Sequence, residues 1–280
     1  MDDTLLLRVH AAVAPSAAPV LVYLPGLHGD WTLVRAFREA LTGRATFAEF
    51  TYPRTLTWSL PDYAQAVAVT LVKHGLVQGW LLAESFGSQV AWAMLADAAL
   101  PFRIRGVVLA GGFVRHGSRW LARLGQRVCL RVSAASLQRP LRVYARVVRW
   151  LRHRSGTGQA DLEEFVARRT ESDKNAAAHR LHLIAETDWR PVARATRVPV
   201  FHLAGCFDPV VPPWPVQRWL RRYCPGFRGA RIIFMSDHNV LGSASRRAAE
   251  QVLEWMGSAT PGQRAHPALV NVPGDPSLPL

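Results

Sequence analysis

Three residues far apart in the chain have the types and settings of a nucleophile, an acid and a base. Ser85 lies in LLAESFGSQVAW (81–92), where an apolar run ends in a serine whose second neighbours, Ala83 and Gly87, are small. A sharp strand-to-helix corner needs small residues at those two positions, because larger side chains meet the sheet or the helix. Such a corner strains its central residue, lifts the hydroxyl clear of the sheet edge and sets it at a helix N-terminus, which favours negative charge. A serine hydroxyl is a weak nucleophile until a base takes its proton. Asp208, in HLAGCFDPVVP, and His238, in IIFMSDHNVLGS, each follow a later apolar, strand-like run. Simpler readings exist: a helix N-cap for Ser85, a turn stabiliser for Asp208 before its proline, and a loop histidine for His238. Asp237 competes as the acid, but its place next to His238 in sequence turns its side chain elsewhere. Of ten histidines only His238 follows the last strand-like run, and His202 lies inside one and reads as core.

The segments around these three residues alternate between apolar and amphipathic runs. The segments 4–13, 19–26, 46–53, 79–84, 104–113, 198–206 and 230–237 read as strands, and 31–43, 61–75, 86–99 and 243–257 have helical spacing. This pattern predicts an α/β fold: a mostly parallel central sheet with helices on both faces. Such sheets bind ligands beyond the carboxyl ends of their strands. The chain of 280 residues, 49% hydrophobic, can bury one large core. The N-terminus, with Asp2, Asp3 and Arg8, does not read as a signal peptide, and no apolar run is long enough for a bilayer. Cys129, Cys206 and Cys224 are too few and scattered for a disulfide framework or a metal site, so a cytoplasmic setting with no metal and no cofactor is expected.

The order Ser85, Asp208, His238 around such strands resembles the α/β-hydrolase fold superfamily, over roughly residues 19–113 and 196–257. The elbow departs from G-x-S-x-G only in having Ala83 at its first position. The resemblance implies a serine hydrolase, esterase-, lipase- or thioesterase-like, acting on an apolar acyl group through an acyl-enzyme. Acyl transfer on the same machinery, or a non-catalytic binding protein on the same fold, are its rivals. It also implies an oxyanion hole: in YLPGLHGDW, Leu27 after Pro25-Gly26 supplies one N–H, and Phe86 after the nucleophile the other. His28-Gly29, shifted by two, is an alternative. Trp31 and Phe113 are candidates for substrate binding, with Trp58 and Trp214 also near strand ends.

The resemblance divides the chain into a core of 1–113 and 191–257, a helical cap of 114–190 and a Pro-rich tail of 258–280. Between Ala98 and Ala160 there are thirteen Arg and no acid, which accounts for thirteen of the fourteen net positive charges. Arg115, Arg119, Arg123, Arg127 and Arg131 recur every four residues. After Pro140, Arg142, Arg146, Arg149 and His153 share one face of a basic amphipathic helix. A solvated face is one reading. The other is an anionic partner: an anionic membrane surface, acyl-CoA-like substrates or acidic carrier proteins. Nucleic acid ranks last, because no recognised motif accompanies the charge.

Overall fold

Strand residues that alternate between two apolar faces build the core of this protein. Its computed structural model describes residues 4–12, 18–133, 136, 164 and 169–258. The strands are β1 (Leu6–His10), β2 (Val20–Leu24), β3 (Thr46–Thr51), β4 (Gln78–Glu84), β5 (Arg103–Ala110), β6 (Val200–Gly205) and β7 (Phe227–Ile233). They form one sheet in the order β1-β3-β2-β4-β5-β6-β7, with β1 antiparallel to β3 and every other pairing parallel. Successive side chains point to opposite faces. Thus Val22, Leu24, Leu81, Ala83, Val107 and Leu109 enter one buried cluster, while Leu21, Tyr23, Leu82, Val108 and Ala110 enter the other. Buried apolar faces on both sides explain why the central strands read as continuous apolar runs.

Helices α1 (Arg35–Leu41), α2 (Leu60–Lys73) and α3 (Gly87–Ala96) follow β2, β3 and β4 in turn. Helix α2 starts with a reciprocal capping box between Ser59 and Asp62, with proline in its first turn. After β5 come α4 (Arg119–Arg131), α5 (Glu171–Glu186) and α6 (Arg190–Ala195), then α7 (Pro213–Tyr223), α8 (Val240–Ser243) and α9 (Ser245–Ser258). Helix α5 has its own capping box, between Thr170 and Asp173.

Three details differ from the sequence reading. The segment 31–43 is a 3₁₀ turn, Thr32–Val34, followed by α1, rather than one helix. The last strand runs Phe227–Ile233 instead of 230–237, because Met235 takes a left-handed backbone with φ +59° and cannot extend the ladder. Helix α7 falls between two expected strands, in a stretch to which the sequence reading assigned no element; Pro213 sits in its first turn, where a missing N–H costs nothing. The basic face after Pro140 and residues 259–280 of the tail lie outside the described residues.

Among the described residues that follow β5, Arg115, Arg119 and Arg123 are engaged within the chain. Arg123 pairs with Glu186 at 3.1 Å, Arg119 reaches the Ala185 carbonyl and lies 3.9 Å from Glu186, and Arg115 lies 3.8 Å from Asp188. These contacts pin α4 and the residues just before it to the end of α5 and the turn after it.

His202, in the centre of β6, is fully buried, and burial lowers its pKa from 6.5 to about 4. It accepts a hydrogen bond at Nδ1 from Gln217 on α7 at 3.3 Å. Because the folded value is depressed, the stability of the neutral ring is fully present above pH 6.5 and lost as pH falls through about 4. Acid titration from pH 7 to 4 is expected to remove up to about 3 kcal/mol through this residue. In urea melts, His202→Gln is expected to flatten that part of the pH profile. An identical slope in the variant would contradict the assignment.

Candidate active site

The parallel register brings the ends of β4, β5 and β6 level, with Glu84 opposite Ala110 and Ala110 opposite Leu203. Ser85 follows directly after β4 in the left-handed region, at φ +48°. Its amide donates to the Ala110 carbonyl at 3.0 Å, and its carbonyl accepts from the Ser88 amide at 3.0 Å and the Ser88 hydroxyl at 2.6 Å. Gly87 is required at the next corner position: a Cβ there would lie 2.2 Å from the Leu24 carbonyl oxygen. Ala83 is fully buried at the matching position on the strand side. The start of α3 also grips the end of β5, because the Phe113 carbonyl accepts from Gln89 Nε2 at 3.1 Å and Trp92 Nε1 at 3.0 Å.

Asp208 lies three residues beyond β6, and His238 five beyond β7. The structure brings both to Ser85. His238 Nε2 is 2.9 Å from Ser85 Oγ, and His238 Nδ1 is 2.7 Å from Asp208 Oδ2. Asp208 Oδ1 accepts the amides of Val210 at 2.9 Å and Val211 at 2.8 Å. The turn-stabilising reading of Asp208 is therefore true alongside its contact with the histidine: one oxygen shapes the loop and the other faces the ring. With Oδ2 accepting, Nδ1 carries the proton and Nε2 is left to accept from the serine. The Asp208 side chain is fully buried and that of His238 is 24% exposed, so the histidine can meet solvent or a ligand while its acid partner stays dry. The carboxylate on Nδ1 belongs to Asp208 and not to Asp237.

Leu27 and Phe86 flank the serine. A Cβ on Gly26 would stand 3.5 Å from Ser85 Cβ, so the Gly26–Leu27 loop lies against the nucleophile corner. Gly29 closes that loop by donating to the Gly26 carbonyl at 3.0 Å. Phe86 precedes α3, and its buried ring meets Tyr63 at 5.7 Å and Tyr52 at 6.0 Å, both edge-on. Trp58 extends this cluster through Tyr63, at 5.2 Å. His28 is half-buried, and desolvation first, then the Arg169 charge, lowers its pKa to about 3, which keeps the ring neutral.

The candidate binding residues separate. Phe113 is buried, with its ring edge-on to His116 at 5.2 Å. His116 feels the charges of His238 and Asp208, and burial chiefly lowers its pKa. Trp31 lies 4.3 Å from the Arg8 guanidinium and packs on the Leu21 and Tyr23 cluster. Trp214 is exposed at the start of α7. Two residues near the corner escaped the sequence reading. Glu84, just before the serine, is buried and accepts from the Tyr23 hydroxyl; burial raises its pKa. Arg180 of α5 is buried against the Leu27 loop. The only sign of either was a charged residue inside an apolar period.

Among the described residues, no group of three or more His, Cys, Asp or Glu side chains is placed to hold a metal ion, and no helix is long and apolar enough to cross a membrane.

No family model matches the chain, and no curated protein matches it in sequence. Solved structures do match. An enol-lactonase from Burkholderia xenovorans LB400 is 18% identical, with a TM-score of 0.73 over 90% of this chain and 96% of that one. A thermophilic esterase from Thermogutta terrifontis is 19% identical, with a TM-score of 0.69 over 91% and 93% of the two chains. A bromoperoxidase from Bacillus anthracis is 13% identical, with a TM-score of 0.68 over 90% and 95%. The chain has the α/β-hydrolase fold.

Proposed function

We propose that this protein is a serine hydrolase that cleaves a carboxylic ester or thioester with an apolar acyl group through an acyl-enzyme. The observation that carries the proposal is the His238 ring bridging Ser85 and Asp208 at hydrogen-bond distance on both nitrogens. In this reading His238 Nε2 takes the Ser85 proton as Oγ attacks the carbonyl carbon, and Asp208 stabilises the imidazolium. The Leu27 and Phe86 amides receive the oxyanion, helped by the N-terminus of α3. Collapse of the tetrahedral intermediate breaks the bond to the leaving group, which takes the proton from His238. Water activated by the same histidine then releases the acid and restores Ser85. The apolar acyl class is supported by the aromatic surroundings of the corner: Phe113, Tyr52, Tyr63 and Trp58. Acyl transfer differs only in the acceptor that replaces water. Free Cys129, Cys206 and Cys224 support a reducing, cytoplasmic setting.

A fluorophosphonate probe is expected to label the wild type at Ser85 and to leave Ser85→Ala unlabelled. On p-nitrophenyl esters of graded chain length, Asp208→Asn is expected to lower kcat by about 10⁴-fold through the wrong histidine tautomer. A folded wild type that neither reacts with the probe nor cleaves any ester or thioester would mark a non-catalytic binder.

For a partner beyond the substrate, we propose an anionic lipid surface at α4. Trp120 is 65% exposed, Leu124 and Val128 share its side of the helix and are also exposed, and Arg127 and Arg131 lie among them. Apolar side chains flanked by arginines suit the interface of an acidic membrane. The protein is expected to sediment with phosphatidylglycerol-containing vesicles at low salt, less so at high salt, and poorly as Trp120→Ser. Equal binding to pure phosphatidylcholine vesicles, or none to either, would contradict this partner.

A further inference from the structure

Arg180 is among the largest fully buried side chains of the protein, at 1% exposed. It projects from the face of α5 that also buries Ala176, Ala177, Ile184 and Ala185. Its acceptors are two neutral carbonyls rather than a carboxylate. Nη1 donates to the Leu27 oxygen at 2.9 Å, and Nη2 to the Pro53 oxygen at 3.0 Å. The guanidinium also lies 5.6 Å from the Tyr52 ring. Removing a guanidinium from water is expensive, and two carbonyls offset less of that loss than a carboxylate would. Space is cleared for it: Gly29, at φ +79°, would bring a Cβ within 2.4 Å of Nη1. A side chain at Gly29 and the guanidinium at its present place exclude one another.

The two carbonyls belong to the loops that leave β2 and β3. Leu27 is the residue whose amide is proposed to receive the oxyanion. Its amide and carbonyl share one Cα, so fixing the carbonyl limits the angle of the amide.

We propose that Arg180 is a positioning residue for the oxyanion hole: its planar fork ties the Leu27 loop to the Pro53 loop and so aims the Leu27 N–H at the developing negative charge. The proposal rests on the serine hydrolase reading of the same site. It makes α5, part of the insertion, a component of the catalytic geometry as well as a cover. A lysine keeps the charge and the stem but cannot span both carbonyls, since its three donors radiate from one nitrogen. The neighbouring ion pairs steady the same junction. Asp30, two residues after His28, pairs with Arg169, and Asp173 of α5 accepts from Arg54 at 2.6 Å. Burial alone would raise the Asp30 pKa, but the Arg169 charge and the Thr32 amide outweigh it and hold the carboxyl low.

The test compares wild type with Arg180→Lys and Arg180→Met on p-nitrophenyl butyrate, with thermal melts confirming the fold. Affinity for an alkyl trifluoromethyl ketone, whose hemiketal oxyanion occupies the hole, is measured beside the kinetics. Misplacing one oxyanion donor is expected to lower kcat by about 10- to 100-fold, with KM within about threefold. Ketone affinity should fall in step with kcat. A merely structural role would alter melting temperature without that parallel loss. If Arg180→Met melts below the assay temperature, Arg180→Lys carries the comparison. Wild-type kcat and ketone affinity in a folded variant would overturn the clamp while leaving the hydrolase reading intact. A wild type inert to ester and ketone alike would overturn both.

Discussion

A serine held at φ +48° is the constraint around which the rest of this molecule is arranged. A left-handed backbone disfavours any residue with a Cβ by roughly 1–2 kcal/mol, and it persists only where the surroundings over-determine it. Here they do. The Ser85 amide is bound to the end of β5, its carbonyl to Ser88, and Gly87 lets the chain pass at contact distance from the end of β2. The corner thus locks three neighbouring strands at one point. The same geometry directs the hydroxyl away from the sheet and toward the loops that follow β6 and β7. Stability and chemistry share one set of contacts, so the corner cannot be relaxed without moving the serine.

Two kinds of electrostatic support surround that corner. Below it, Glu84 and Tyr23 bury a carboxyl and a hydroxyl against one another, and burial raises the pKa of both. Above it, Asp30, Arg169, Asp173, Arg54 and Arg180 join α5 and the residues just before it to the loops after β2 and β3. The basic character of the region after β5 therefore has at least two parts. Some arginines hold helices together, as Arg119 and Arg123 do with the end of α5, and others, such as Arg127 and Arg131, are exposed.

Much of this was legible in the sequence for a local reason. Period-two alternation and short apolar runs specify a two-sided sheet, and small residues at positions 83 and 87 specify a tight corner. The order of Ser85, Asp208 and His238 along alternating strands was readable because each follows its strand within a few residues. What escaped depended on local backbone detail or on tertiary contact. The end of β7 is set by the backbone of Met235, and α7 is tolerated because its prolines fall in the first turn. Trp31 reads as a candidate binding residue by its place after a strand, and its contact with Arg8 of the edge strand could not be read from the sequence. Arg180 was hidden for the opposite reason. Spaced four residues from Ala176 and Ile184, it sits on a buried face where a charge is unexpected, and only the meeting of two loops accounts for it.

The central claim is that Ser85, through His238, becomes covalently acylated. Intact-protein mass spectrometry after brief mixing with p-nitrophenyl acetate in acid-quenched samples addresses it directly. The account predicts one added acetyl group per chain, mapped by peptide analysis to Ser85, and decaying as the ester is consumed. Turnover of the ester with no adduct in the quenched samples, or an adduct on any residue other than Ser85, would contradict it.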